Sequence, residues 1–325
     1  MLWDALYEGI STLTRYPDPD YRWLRQLLSQ HHDLEPSWIL PGNGAAELLT
    51  WIGRDLSGCD RIYLMTPAFG DYQRALAAFK ADAEALPLQL TRFPHVLSMT
   101  LPYLRYRDGI LLNNPHNPTG CLLTAAQLLP LLESKATVVV DEAFMDFLRP
   151  DEQQSLASWL PHFPNLIVLR SLTKFYSLPG LRLGYALLHP ERAARWQQWR
   201  DPWPVNQLAV LAAKTALEDR TFQEQTWCWL SQAKQQLLSG LSQLPGLAVY
   251  PGAANFLLVR CDCPVLRLQE VLLQLHRILI RDCMSFPELG DRFFRVAVRT
   301  EAENQRLLQA LTSVLENPCS MTMTS

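Results

Sequence analysis

No stretch of the 325-residue chain is apolar for the length that a bilayer crossing needs. Its start, Met-Leu-Trp-Asp-Ala-Leu-Tyr-Glu, has no basic region and no long apolar core. Neither a membrane span nor a secretory leader is expected, and the chain reads as cytoplasmic. Excess charge is also lacking: the net charge is −3, which gives no reason for nucleic acid or an anionic membrane as partner. An anionic small substrate must therefore be met by local arginines. Cysteines at metal-ligand spacing are missing too. The seven present (Cys59, Cys121, Cys228, Cys261, Cys263, Cys283 and Cys319) are scattered, and Cys261-Asp-Cys263 is too tight for the usual zinc pattern and has no second pair. Free thiols in a reducing compartment, and no metal, are the expectation. There is no internal repeat and no low-complexity segment. What remains is ordinary globular composition, 48% hydrophobic and 19% charged, in a length that suits a large domain with a smaller one.

The most informative stretch is Ser171-Leu-Thr-Lys-Phe-Tyr-Ser-Leu-Pro-Gly-Leu-Arg-Leu-Gly-Tyr185. It follows Asn165-Leu-Ile-Val-Leu-Arg170, which reads as a buried parallel strand, and it precedes a second strand-like run, Leu181 to Leu188. Lys174 sits in the turn between them. A desolvated lysine near other cations loses its proton more readily and becomes a nucleophile able to form a Schiff base with an aldehyde. Arg182 is placed to supply that neighbouring charge. A surface lysine snorkelling beside a strand end is the plain alternative.

Other chemistry-bearing residues gather at strand ends in the same way. Pro41-Gly-Asn-Gly-Ala-Ala-Glu47 follows Trp38-Ile-Leu40 and opens a helix whose uncovered N–H groups at Ala45 and Ala46 attract an anion, with Glu47 as a cap. Arg61-Ile-Tyr-Leu-Met65 is a strand ended by Thr-Pro-Ala-Phe69, and an aromatic just past a strand's carboxyl end lines ligand sites in α/β sheets; a core phenylalanine is the alternative. Gly109-Ile-Leu-Leu-Asn-Asn-Pro-His-Asn-Pro-Thr-Gly120 runs a strand into a proline-fixed loop that aims one amide at a ligand, with a helix beginning near Leu122. His116 reads as a loop residue. Ala136-Thr-Val-Val-Val-Asp141 is a strand ending in a carboxylate that would be costly unpaired. A long helical region, roughly 207 to 241, precedes the strands Leu247–Tyr250 and Ala254–Val259 and a helix from Pro264 to His276. Arg281, Arg295 and Arg299 then fall on two further strand segments, Ile278–Arg281 and Arg292–Arg299, an expensive cluster unless anions fill it. A solvated strand face suits Arg292 but suits Arg281 and Arg295 poorly, since both sit among apolar neighbours.

Taken together, the lysine segment, Asn-Pro-His-Asn-Pro-Thr-Gly, Asp-Glu-Ala-Phe and Gly-Asn-Gly-Ala-Ala-Glu resemble fold type I enzymes that use pyridoxal 5′-phosphate. Among these the chain is most similar to the threonine-phosphate decarboxylases of cobalamin biosynthesis, and next to the histidinol-phosphate aminotransferases. The resemblance covers the chain except its last residues. It implies an α/β fold: a large αβα domain with a mainly parallel seven-stranded sheet, over residues 21–212, and a small α+β domain from 1–20 and 213–325. The hinge would fall in the 207–241 helical region. It implies a homodimer with no nucleic acid or membrane partner, and a small phosphorylated amino-acid substrate.

By the same resemblance Lys174 carries the cofactor and later donates a proton, and Asp141 pairs with its ring nitrogen. Asn117 bonds its phenolic oxygen and Phe69 stacks on its ring. Ala45, Ala46, Ser171 and Arg182 hold its phosphate, joined by Tyr16 from the other subunit; the plain alternative for Tyr16 is a packing aromatic beside a proline turn. Arg281 and Arg295 match arginines that bind substrate phosphate and α-carboxylate in the aminotransferases, although which holds which in a decarboxylase is open. Arg299 replaces a small residue and would add a substrate contact.

Two departures bear on activity. Phe144 stands where aminotransferases usually carry tyrosine, which favours the decarboxylase over the aminotransferase. The family also begins with an additional Asn-Pro segment that closes over the substrate. Its absence here leads to the expectation of either an upstream start or an open lid; a cofactor-binding dimer with little turnover is the third reading. The tail after Glu316 is expected to be disordered.

Overall fold

The computed structural model of the chain describes residues 2–90, 97–98 and 100–316. Its strands, in chain order, are β1 (Ile39–Asn43), β2 (Arg61–Thr66), β3 (Glu84–Pro87), β4 (Gln89–Leu90), β5 (Leu97–Ser98), β6 (Asp108–Asn113) and β7 (Thr137–Asp141). They continue with β8 (Leu166–Ser171), β9 (Leu183–Leu188), β10 (Leu247–Tyr250), β11 (Phe256–Cys261), β12 (Arg281–Asp282) and β13 (Phe293–Ala297). Seven strands form one sheet in the order β1-β9-β8-β7-β6-β2-β3. Neighbours from β3 through β8 are parallel, while β9 runs antiparallel to both β8 and β1. This is the mainly parallel seven-stranded α/β architecture that the resemblance implies.

The sheet forms where it does because its strands are apolar on both faces. Along β7, Val138 and Val140 point into one core while Val139 points into the other. Ile110 and Leu112 against Leu111 on β6, and Leu166 and Val168 against Ile167 and Leu169 on β8, alternate alike. Such continuous runs are what helices on both faces require. Each fully buried side chain of this size contributes about 1.5–3 kcal/mol. Register then aligns the strand ends: Asn113 is opposite Asp141, Asp141 is opposite Leu169, and Ser171 is opposite Gly184. Three consecutive parallel strands thus end at one edge, bearing Asn113, Asp141 and the loop to Lys174.

A second, antiparallel sheet has the order β10-β11-β13-β12. One face of it (Val249, Leu257, Val259, Phe294, Val296) continues the core of the large sheet, and the other packs a small cluster of Tyr250, Leu258, Cys283, Phe286 and Leu289. Among the described residues, β4 and β5 pair with each other and with no other strand. No helix of the described residues is long and apolar enough to cross a membrane.

Some boundaries differ from the sequence reading. The helix expected near Leu122 begins at Ala125, because Thr124 and Gln127 form a reciprocal capping box that fixes the start there. The 207–241 region is two helices, Gln207–Glu218 and Arg220–Ser242. They break at Asp219, whose non-helical backbone lets its carboxylate accept the Phe222 amide. Ile278–Ile280 lie outside any strand, leaving β12 as a two-residue edge. Arg292 precedes β13 and donates to the Asp262 carbonyl. The tail after Glu316 lies outside the described residues.

Candidate active site

Lys174 stands in the tight turn after β8, with its side chain open to a cleft of about 840 Å³. The turn is held by Leu172, Phe175 and Tyr176, all buried, so the lysine is the residue it presents outward. Its ammonium pKa is pushed below the ordinary lysine value, first by desolvation, with Arg295 and Arg182 acting in the same direction and Asp141 opposing. Arg182 thus does supply positive charge, as its position eight residues on implies, but partial desolvation of the amine by the cleft walls is the larger cause.

An anion cradle lies beside it. The helix Gly44–Leu56 begins where β1 ends, and Gly44 has φ +71°, a left-handed conformation that costs a side-chain residue energy. A Cβ added there would sit 2.6 Å from Arg182 Nη2 and 3.1 Å from its Cζ. Arg182, itself at φ 57°, therefore lays its guanidinium directly over the bare backbone at the helix start. Gly184 is needed for the same reason: its Cβ would meet the Ala45 nitrogen at 2.6 Å. Glu47 accepts from the Asn43 amide and from Trp51 Nε1, so it caps the helix and leaves the cradle free, as read from the sequence. Ser171 is buried with its hydroxyl 2.8 Å from that of Thr173. Thr173 lines the cleft and was not picked out from sequence.

Across the strand ends, Asp141 is buried and accepts from the Tyr72 hydroxyl at 2.7 Å and from the Ala143 amide at 3.0 Å. No ion pair to it is found among the described residues. Desolvation pushes its pKa up, while those two bonds and Lys174 hold it down. Tyr72, like Thr173, is a site residue that sequence reasoning missed; the hint is its place one helical turn after Phe69. Phe69 is 42% exposed and meets Tyr72 edge-on at 5.6 Å, which argues against the core alternative. Asn117 is held twice: its backbone N–H donates to Asn113 Oδ1 at 2.6 Å, and its Oδ1 accepts from Arg295 Nη1. That leaves the Asn117 side-chain NH₂ as the donor to present. His116 is buried against the Thr119 hydroxyl, and burial pushes its pKa down to about 3, which suits a neutral structural residue of the loop.

The cleft is lined by Lys174, Phe144, Phe256 and the arginines 277, 281, 295, 299 and 306. Arg281 and Arg295 are directly opposite on β12 and β13. Like charges so placed repel unless an anion lies between them. Arg295 is half-buried and packs its guanidinium 4.6 Å from the Phe256 ring centroid. Arg281 is exposed, contrary to the burial inferred from its apolar neighbours, because a two-residue edge strand leaves it facing the cleft. Arg299 is exposed and ion-paired with Glu303 at 2.6 Å, so it is restrained rather than free. Tyr16 lies outside this cleft, 80% exposed, with its ring tilted by 30° against that of Trp203 at a centroid distance of 4.4 Å.

These features fit the cofactor that the resemblance implies. A backbone cradle kept open at Gly44 and covered by a guanidinium suits a phosphate, and a buried carboxylate lacking a cation suits a ring N–H⁺. Lys174, its pKa lowered, suits an aldehyde.

Comparison with known proteins agrees with this geometry. A family model described as aminotransferase class I and II matches residues 6–311. The chain is 42% identical to threonine-phosphate decarboxylase of Salmonella typhimurium, an alignment covering 96% of this chain and 86% of that protein. Two solved structures superpose at 27% identity, each covering 97% of this chain and 95% of its own. One is histidinol-phosphate aminotransferase from Clostridium acetobutylicum, at a TM-score of 0.87. The other is L-threonine-O-3-phosphate decarboxylase from Porphyromonas gingivalis, at a TM-score of 0.86.

Proposed function

The chain belongs to the aminotransferase class I and II family, and on that premise we propose that it is a pyridoxal-phosphate-dependent decarboxylase of L-threonine O-3-phosphate. It would release carbon dioxide and (R)-1-aminopropan-2-yl phosphate, for cobalamin biosynthesis. The observation that carries this reading is the 42% identity to the Salmonella decarboxylase along 96% of the chain. The overall fold alone does not choose, since the decarboxylase and aminotransferase structures superpose equally well. Phe144 adds support: it lines the cleft, edge-on to Phe256 at 5.2 Å, and brings no hydroxyl there.

When bound, the cofactor supplies an aldehyde that joins an amine and a cationic ring that withdraws electrons from the carbon bearing that amine. Lys174 provides the amine that would hold it, and Ala45, Ala46, Ser171, Thr173 and Arg182 the phosphate site. Asp141, whose charged form Tyr72 and the Ala143 amide favour, would pair with the ring nitrogen, and the Asn117 NH₂ would donate to the phenolic oxygen. Phe69 would cover the ring. Arg281, Arg295 and Arg299 meet the two anionic ends of the substrate, and Arg295 also fixes the Asn117 amide by occupying its oxygen. Lys174, once released, can deliver a proton to the substrate Cα after carbon dioxide leaves. We further propose a homodimer in which Tyr16 completes the phosphate site of the other subunit. Exposed Trp3, Tyr7, Ile10 and Leu13 beside Tyr16 supply apolar area for that contact.

The test is carbon dioxide release from O-phospho-L-threonine with cofactor and no keto acid, using Lys174→Ala as control. Lysine-dependent release supports the decarboxylase. Turnover only of histidinol phosphate, and only with 2-oxoglutarate, replaces it with the aminotransferase.

A further inference from the structure

Cys261-Asp-Cys263, set aside above as a metal motif, has a geometry of its own. Cys261 closes β11, and the chain bends at Asp262 before Pro264 leads into the helix Val265–His276. The Asp262 backbone is pinned on both sides: its N–H donates to the Gly246 carbonyl at 2.9 Å, and its carbonyl accepts from Arg292. Its carboxylate accepts from Arg260 at 3.2 Å. With that bend fixed, both thiols turn to the same side, and their sulfurs are 2.8 Å apart. The Cys263 amide also points at Cys261 Sγ, at 3.4 Å.

We propose that Cys261 and Cys263 are a redox-active dithiol that closes to an intrachain disulfide by exchange with a low-molecular-weight disulfide. Access and reactivity are divided between the two. Cys261 is 1% exposed and out of reach of an external reagent, whereas Cys263 is only half-buried. The contact holds one proton between the two sulfurs, which pushes the Cys261 thiol pKa down to about 7 and that of Cys263 well up, whereas burial alone pushes Cys121 up to about 11 and Cys283 to about 12. Cys261 can therefore take the Cys263 proton as Cys263 sulfur attacks the external disulfide and one thiolate leaves. Cys261 then loses that proton and attacks Cys263 sulfur, expelling the second thiolate. In sum, two protein thiols and one external disulfide give one protein disulfide and two small thiols; the protein is oxidised by two electrons and the reagent reduced by two. The backbone already holds the sulfurs together, so closure asks for no change in the pairing of β11 with β10 or β13.

The experiment exposes the reduced full-length protein to glutathione disulfide, quenches with N-ethylmaleimide, and weighs the tryptic peptide Cys261–Arg267. Exposed Cys228 reports that reagent was present and active. The expected peptide is two hydrogens lighter than the dithiol and carries neither glutathione nor maleimide. In Cys261→Ser, Cys263 should keep one glutathione; in Cys263→Ser, Cys261 should remain a thiol. Native labelling of buried Cys283 identifies a variant that has lost its fold. A wild-type peptide bearing glutathione or two maleimides, after Cys228 has fully reacted, overturns the proposal. Turnover is not measured, so this outcome is independent of the decarboxylase reading.

Discussion

Substituting alanine for Gly44 tests the phosphate cradle at its narrowest point. Two separate costs follow from the geometry. The first is backbone: φ +71° is a left-handed conformation, and a Cβ there costs roughly 1–2 kcal/mol. It falls on the folded protein with or without cofactor, so the apoprotein should melt a few degrees lower. The second is positional. At 2.6 Å from the new methyl, Arg182 Nη2 must move, and the arginine is tethered by its donation to the Pro179 carbonyl at 3.1 Å. A guanidinium forced off a phosphate forfeits a charge-assisted bond of about 1.5–3 kcal/mol, or roughly ten- to 150-fold in cofactor affinity. The assay is titration of apoprotein with pyridoxal phosphate, followed by absorbance, beside a thermal melt. Arg182→Ala should show the affinity loss without the apoprotein destabilisation. The double variant should lose little more affinity than either single one, because both act through one contact. Wild-type affinity in Gly44→Ala, or fully additive losses, would refute the cradle.

Three further outcomes are expected. Tyr72→Phe removes a bond that holds the Asp141 pKa down, so the acid limb of the kcat profile should move to higher pH, with kcat lower by roughly ten- to 100-fold; an unmoved limb would separate Tyr72 from Asp141. His116 has a folded pKa of about 3, below its ordinary 6.5, so its contribution to stability is complete above 6.5 and is withdrawn as pH falls towards 3. Between pH 6.5 and 3, stability to urea should therefore fall by about 1.4 kcal/mol more per pH unit in the wild type than in His116→Gln, and equal slopes would exclude the residue. Glu303→Gln frees Arg299 from its ion pair, and KM for O-phospho-L-threonine should fall by up to about fivefold, in line with an exposed pair; a higher KM would mean that Glu303 itself helps to hold substrate.

Lys174, Asp141 and Asn117 are legible in the sequence because each follows an apolar strand and sits inside a local motif, so neighbours in the chain are neighbours in space. The inner strands β2, β6, β7 and β8 are legible for the same reason, since a strand buried on both faces shows as an unbroken apolar run; β3, short and largely exposed, is not, and the count of seven comes from the resemblance. Tyr72 is not, because the carboxylate it serves lies 69 residues away and nothing around Tyr72 distinguishes it from a helix-face aromatic. The Arg295–Asn117 bond spans 178 residues and joins the two sheets, a contact that no local pattern encodes. Arg281 misleads in the opposite sense. Its apolar neighbours suggest burial, but strand length and edge position decide exposure, and both depend on which strands pair.

Behind the site, a buried ion pair explains why Asp141 and Lys174 hold their places. Arg170 immediately precedes Ser171 and donates to Glu142, the residue after Asp141, at 2.9 Å, and also to Asp146. Glu142 is further satisfied by the Ser155 hydroxyl and the Leu156 amide. Charges buried this deeply add little net stability against apolar substitutes, but removing one member leaves the other unpaired at a cost of about 3–5 kcal/mol. The pair therefore acts chiefly as a clamp on the ends of β7 and β8, the two strands that carry Asp141 and the lysine turn. Held there, the two groups are in an unfavourable balance. Desolvation raises the Asp141 pKa and lowers that of Lys174, and each is kept charged partly by the other. A ligand that brings a cation to Asp141 and takes the Lys174 amine into a bond relieves both penalties together. Pyridoxal phosphate has both properties. Its binding should therefore raise the stability of the wild type, read as the shift in urea unfolding with and without pyridoxal phosphate, by more than it does in either Asp141→Asn or Lys174→Ala.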